Sequence, residues 1–147
     1  MQAFINDQSV LGAAINQTFT AQTAAQSPAT GIIVNRAGFY SADILVPYHA
    51  TVAIGNTLGI GLQITESDTS TLSGSTAYTL LATQNVATGI TGTTTFDGIL
   101  KYGIDARQYH QYVKIQPIAV FSATATDTCT LGEIIYLTDS YRSPNAG

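Results

Sequence analysis

The chain has 147 residues, 45% of them hydrophobic and only 10% charged, with a net charge of −4. That length suits one domain with a real hydrophobic core. The five cations, Arg36, Lys101, Arg107, Lys114 and Arg142, never cluster in sequence, which excludes the basic patch that nucleic-acid binding needs. With so little charge, the polar surface must be made by Thr, Ser, Gln and Asn. Such a surface lacks the repulsion that keeps soluble monomers apart, which suggests a protein that works in an assembly; an ordinary secreted β-domain is the alternative. The first ten residues carry no basic region and no long apolar run, so no signal peptide is expected. No apolar stretch reaches the length of a membrane span. A protein made and folded in a cytoplasm, without a membrane partner, is the expectation.

Residues 1–30 are rich in Gln, Ala, Thr and Asn and read as an N-terminal arm or a first strand. Gln17 to Thr23 is suited to a strand, whereas Phe4, Ile5, Val10, Leu11 and Ile15 suit a short helical turn or an arm laid on a neighbour. Residues 31–35 are a short apolar strand, and residues 41–47 are another, closed by Pro47, which cannot donate to a ladder. His49 then falls in a loop. Along residues 59–66, Ile60, Leu62 and Ile64 alternate with Gly61, Gln63 and Thr65, the period of a half-buried strand. Residues 67–75 form a polar tip containing Leu72, and residues 78–83 return. Residues 93–102 are a further strand with a bulge expected at Gly98, and residues 103–108 are the one stretch suited to a helical turn. His110 is placed inside a Tyr-rich strand in which Val113 and Ile115 alternate with Tyr112, Lys114 and Gln116.

Residues 131–138 read as one closing strand. Leu131, Ile135 and Leu137 lie on one side and Ile134 and Tyr136 on the other, so it wants cover on both faces. About eight strands without an amphipathic helix give an all-β chain: an antiparallel β-sandwich or jelly roll with an extended N-terminal arm. The expected division is an arm or first strand over 1–30, the sandwich over 31–140 and a C-terminal tail over 141–147.

Chemistry is sparse. The two histidines, His49 and His110, lie far apart in sequence, and the single cysteine, Cys129, allows no intrachain disulfide. No metal or cofactor site is expected. Glu66 and Asp68 form the best carboxylate pair, with weak calcium binding set against a solvated loop, and the calcium-loop pattern is absent. No nucleophile elbow, phosphate loop or dinucleotide fingerprint occurs, so no catalytic residue is assigned and the chain does not read as an enzyme. Of the eight tyrosines, Tyr109 and Tyr112 are expected to be partly structural and Tyr141 an exposed contact.

Several of these runs, in this order, resemble the small jelly-roll cement (decoration) proteins of tailed bacteriophage heads. The resemblance rests on residues 59–68 (Gly-Ile-Gly-Leu-Gln-Ile-Thr-Glu-Ser-Asp), 78–82 (Tyr-Thr-Leu-Leu-Ala), 111–116 (Gln-Tyr-Val-Lys-Ile-Gln) and the closing run 131–137. It covers roughly residues 40–138 and rests on pattern more than identity. It implies a virion protein on the outer capsid surface that clamps adjacent major capsid subunits. Its partners would be the major capsid protein and itself, as a homodimer or homotrimer, with no nucleic acid. Phe4, Ile5, Leu72, Tyr141 and Arg142 are the contact residues expected on this reading. Another phage virion β-protein, from the tail or a head fibre, and a carbohydrate-binding β-sandwich are the alternatives.

Overall fold

Along residues 42–52, buried Ala42, Ile44, Val46, Ala50 and Val52 alternate with more exposed neighbours, the signature of a strand with one face on a core. The computed structural model describes residues 9–10, 17–22, 28–123 and 126–140. These form strands β1 (Ser9–Val10), β2 (Gln17–Thr20), β3 (Ile32–Asn35), β4 (Phe39–Val52), β5 (Thr57–Ser67), β6 (Thr76–Thr88) and β7 (Thr94–Asp105). A single 3-10 turn, η1 (Ala106–Gln108), precedes β8 (Tyr112–Phe121), β9 (Thr128–Leu131) and β10 (Ile134–Ser140). The strands make two antiparallel sheets, so the fold is the antiparallel β-sandwich expected from the alternation, with ten strands among the described residues rather than about eight. In the first sheet β7 lies along one edge of β4. β10 and β9 lie end to end along its other edge, with β1 outside β10 and β2 outside β9. The second sheet runs β3-β8-β5-β6.

One core lies between the sheets. Ile44, Val46 and Val52 from β4 share it with Leu58, Ile60, Leu62 and Ile64 from β5, Val113 and Ile115 from β8, and Leu131, Ile135 and Leu137. Burying each such side chain contributes about 1.5–3 kcal/mol. Tyr102 of β7 ties the layers together, because its hydroxyl donates to the carbonyl of Ile60 in β5 across 2.8 Å. Burial pushes that phenol up to about 12.

Pro47 does not close its strand; β4 runs through it to Val52, and His49 therefore sits in a strand rather than a loop. The reason is visible on the other side of the ladder. β9 and β10 hold one continuous register against β4, with His49 opposite Thr130 and Leu45 opposite Ile134, and the gap between them falls opposite Pro47. Gly132 N donates to Pro47 O across 2.9 Å. The N–H and C=O of a strand residue point to the same side, so the donor that Pro47 lacks would have faced this gap. The closing run therefore appears as two strands in line. Its second face needs no sheet of its own, since Ile134 and Tyr136 are only half-buried.

Gly98 makes no bulge either. Register between β4 and β7 is unbroken from Ser41–Asp105 to Val52–Thr94. Gly98 lies under the ring of Tyr48 instead, and a Cβ there would come within 2.5 Å of the Tyr48 hydroxyl. The helical turn expected within 103–108 is present as η1, capped by the Asp105 side chain, which accepts from Arg107 N.

Candidate functional site

The two ends of the sandwich differ in chemistry. At one end the β3–β4 turn, the β5–β6 loop and the η1–β8 link converge on His110, which lies in that link and not inside a strand. Its backbone N–H donates to Glu66 Oε2 across 2.7 Å, and its Nδ1 lies 2.9 Å from Asp68 Oδ1. Arg36 Nε donates to the His110 carbonyl across 3.0 Å. The hydrogen bond between this imidazole and this carboxylate raises His110 and lowers Asp68 from their ordinary values. Glu66 and Asp68, read from sequence as a possible calcium pair, are thus each turned onto His110. Beside them, the Arg107 guanidinium pulls the Asp105 carboxyl down to about 2, bonding it through Nε and Nη2 at 2.9 and 2.8 Å. The same guanidinium lies 5.6 Å from the centre of the Tyr40 ring.

An open hollow lies here, lined by Arg36, Glu66, Asp68, Gln108, Tyr109 and His110. Its lining, among the described residues, holds an Asp–His pair and no Ser, Thr or Cys beside the imidazole. Among the described residues, no group of three or more His, Cys, Asp or Glu side chains is placed to hold a metal ion. Cys129 is buried in β9, and burial pushes its thiol up to about 12, far from the thiolate that reactivity requires.

At the other end the β4–β5 turn meets the β6–β7 link. Gly55 N donates to Gly89 O, and Gly89 N to Asn56 O, at 2.9 and 3.0 Å. A Cβ on Gly89 would sit 2.1 Å from the Ala53 carbonyl, so only glycine allows this approach. The result places Ile54, 62% exposed, beside the chain carrying Ile90, 74% exposed. Residues 53–56 and 89–93 contain no charge. Underneath, buried Asp127 accepts from Ala53 N at 2.7 Å and from Asn56 Nδ2 at 2.8 Å, tying the turn to the β8–β9 connection.

Of the contact residues expected from sequence, Phe4, Ile5, Tyr141 and Arg142 lie outside the described residues. Leu72 lies at the polar end, half-buried, with φ of 56° in a turn closed by Leu72 N to Thr69 O and Ser75 N to Leu72 O. Ile54 and Ile90 were missed from sequence. The available signal was an isoleucine next to glycine in each of two uncharged turns, where burial is not expected.

No known family model matches the chain, and no curated protein sequence does. Solved structures similar to it include the infectious bursal disease virus Gt strain, with 15% identity and a TM-score of 0.49, covering 92% of this chain and 34% of that one. The Gx strain of that virus gives 18% identity and a TM-score of 0.49 over 92% and 33% of the two chains. The VP2 subviral particle of infectious bursal disease virus gives 11% identity and a TM-score of 0.45 over 90% and 34%. The chain spans about a third of the length of these solved chains. Likeness at this level says nothing about what the chain does.

Proposed function

We propose that the chain is a non-enzymatic structural protein of a virus particle: a cement protein that binds the outer surface of a tailed-phage head and ties neighbouring major capsid subunits together. The observation that carries this reading is the apolar tip formed by Ile54 and Ile90. Its two turns are bonded to one another and to Asp127, so little conformational entropy remains to be lost on docking. The tip and its turns are uncharged, which suits insertion between subunits of a protein lattice. A contact this small is weak alone and gains strength from many copies and from linked contacts. On this reading Phe4, Ile5, Tyr141 and Arg142 supply further contacts from the termini, the protein is made in the host cytoplasm, and it resides on the virion.

The test is co-sedimentation of the purified chain with expanded heads and with procapsids. Saturable binding to expanded heads, in hundreds of copies, is the expected result. Failure to bind either lattice sinks the reading.

A further inference from the structure

Among the described residues, the free edges of the two sheets are not alike. β1 has two residues and β2 and β3 have four each, while β6 carries three breaks of register against β5. Short and bulged edges resist pairing with another chain. β7 differs: twelve residues, no proline, and unbroken register against β4. Its free side is also the hydrogen-bonding side. The odd-numbered residues of β4 direct their backbone groups towards β9 and β10, as the bond from Gly132 to Pro47 shows. Ile99, directly across from Pro47, therefore forms a non-hydrogen-bonded pair with it and directs its own N–H and C=O outward.

The side chains along this edge complement themselves. Ile99 is 67% exposed, with Asp97 two residues before it and Lys101 two residues after, all three on the outer face. We infer that β7 pairs antiparallel with β7 of a second copy about a two-fold axis through Ile99, setting Asp97 of each copy opposite Lys101 of the other. Asp97 is bonded to His49 at 2.6 Å and Lys101 to Asp43 at 2.9 Å within each copy. The joined sheets then carry two rows, each running His49, Asp97, Lys101, Asp43 across four strands. Register is set by charge. A slide of two residues leaves both charges opposite uncharged positions. A slide of four sets Lys101 against Lys101 or Asp97 against Asp97, and like charges directly opposite are destabilising. A self-complementary strip is what a two-fold interface requires. The strip is narrow, which places the dimer among weak, concentration-dependent contacts.

This inference stands whether or not the chain is a virion protein, because it is read from the free protein in solution. Sedimentation equilibrium of the full chain over a wide concentration range should show a monomer–dimer equilibrium. Asp97→Lys and Lys101→Asp each place two like-charge pairs across the axis and should weaken the dimer about tenfold. The double variant Asp97→Lys/Lys101→Asp should restore it, since opposite charges again face each other. Ile99→Lys, which sets two lysines together at the axis, should leave a monomer. Thermal unfolding of each variant checks that the fold is kept. A wild-type chain that stays monomeric at all concentrations, single reversals without effect, or a double reversal that fails to rescue would each overturn the inference.

Discussion

Glu133 is the residue least at ease in this fold. It lies in the inward row of Leu131, Ile135 and Leu137, fully buried, and neither carboxylate oxygen has a hydrogen-bond partner among the described residues. Burial pushes its carboxyl up to about 8, with the Ile32 amide and the Lys114 charge pulling weakly the other way. The folded protein therefore holds it protonated at neutral pH, while the unfolded chain ionises it from near its ordinary value of 4.5. The unfolded state then binds fewer protons, so stability falls as pH rises from about 4.5 to about 8. Glu133→Gln keeps the shape without the ionisation and should remove most of that fall, gaining about 3 kcal/mol at pH 8. Urea denaturation at pH 5 and pH 8 checks it, and an unchanged pH slope would show that Glu133 is ionised or solvated. Raised His110 acts in the same direction, its contribution being present below its unfolded value and lost as pH rises through the folded one. That part should persist in Glu133→Gln. Tyr102→Phe offers a simpler case, since it leaves the buried Ile60 carbonyl without its donor. It should cost about 1–2 kcal/mol in the same assay.

Among the elements, Pro47 decides how the closing edge of the first sheet is read. The absent donor faces the join between β9 and β10, so supplying one should draw the two strands together. In Pro47→Val, amide exchange should find a new protected N–H at position 47, with stability changed by less than about 1 kcal/mol. An exchange rate as fast as a loop amide's would count against this account of the break. Pro47 also shows where the sequence was legible. Alternation identified the inward rows of β5 and β8, because a one-residue slip would expose Ile60, Leu62 and Ile64 together. It could not say which way the missing N–H of a proline points, since that depends on the partner strand. Gly98 was opaque for the same reason. A glycine inside a strand signals either a bulge or a close approach, and the ring that approaches, Tyr48, is fifty residues away in sequence. The polar end was least legible. Glu66, Asp68 and His110 become neighbours only through the pairing of β5 with β8, which sets Ser67 opposite Tyr112.

At the scale of the whole molecule, the sandwich separates a charged end from an apolar one. Around His110, the Arg36, Glu66 and Asp68 side chains make bonds within the chain, and such exposed pairs contribute little stability. The tip with Ile54 and Ile90 makes rigid backbone bonds and leaves its side chains in water. Changing those side chains should therefore separate folding from docking. Ile54→Asp/Ile90→Asp alters two exposed positions and should shift unfolding free energy by less than about 1 kcal/mol. The same pair of changes puts two unpartnered carboxylates where a lattice contact would desolvate them, and should weaken binding to expanded heads at least tenfold. Asp127→Ala provides the contrast. It strips the buried partners from Ala53 N and Asn56 Nδ2, so stability should fall by about 1–3 kcal/mol and docking should weaken only as far as the tip loosens. Calorimetry alongside co-sedimentation distinguishes the two variants. Equal head binding by wild type and Ile54→Asp/Ile90→Asp would remove the tip from the proposed contact.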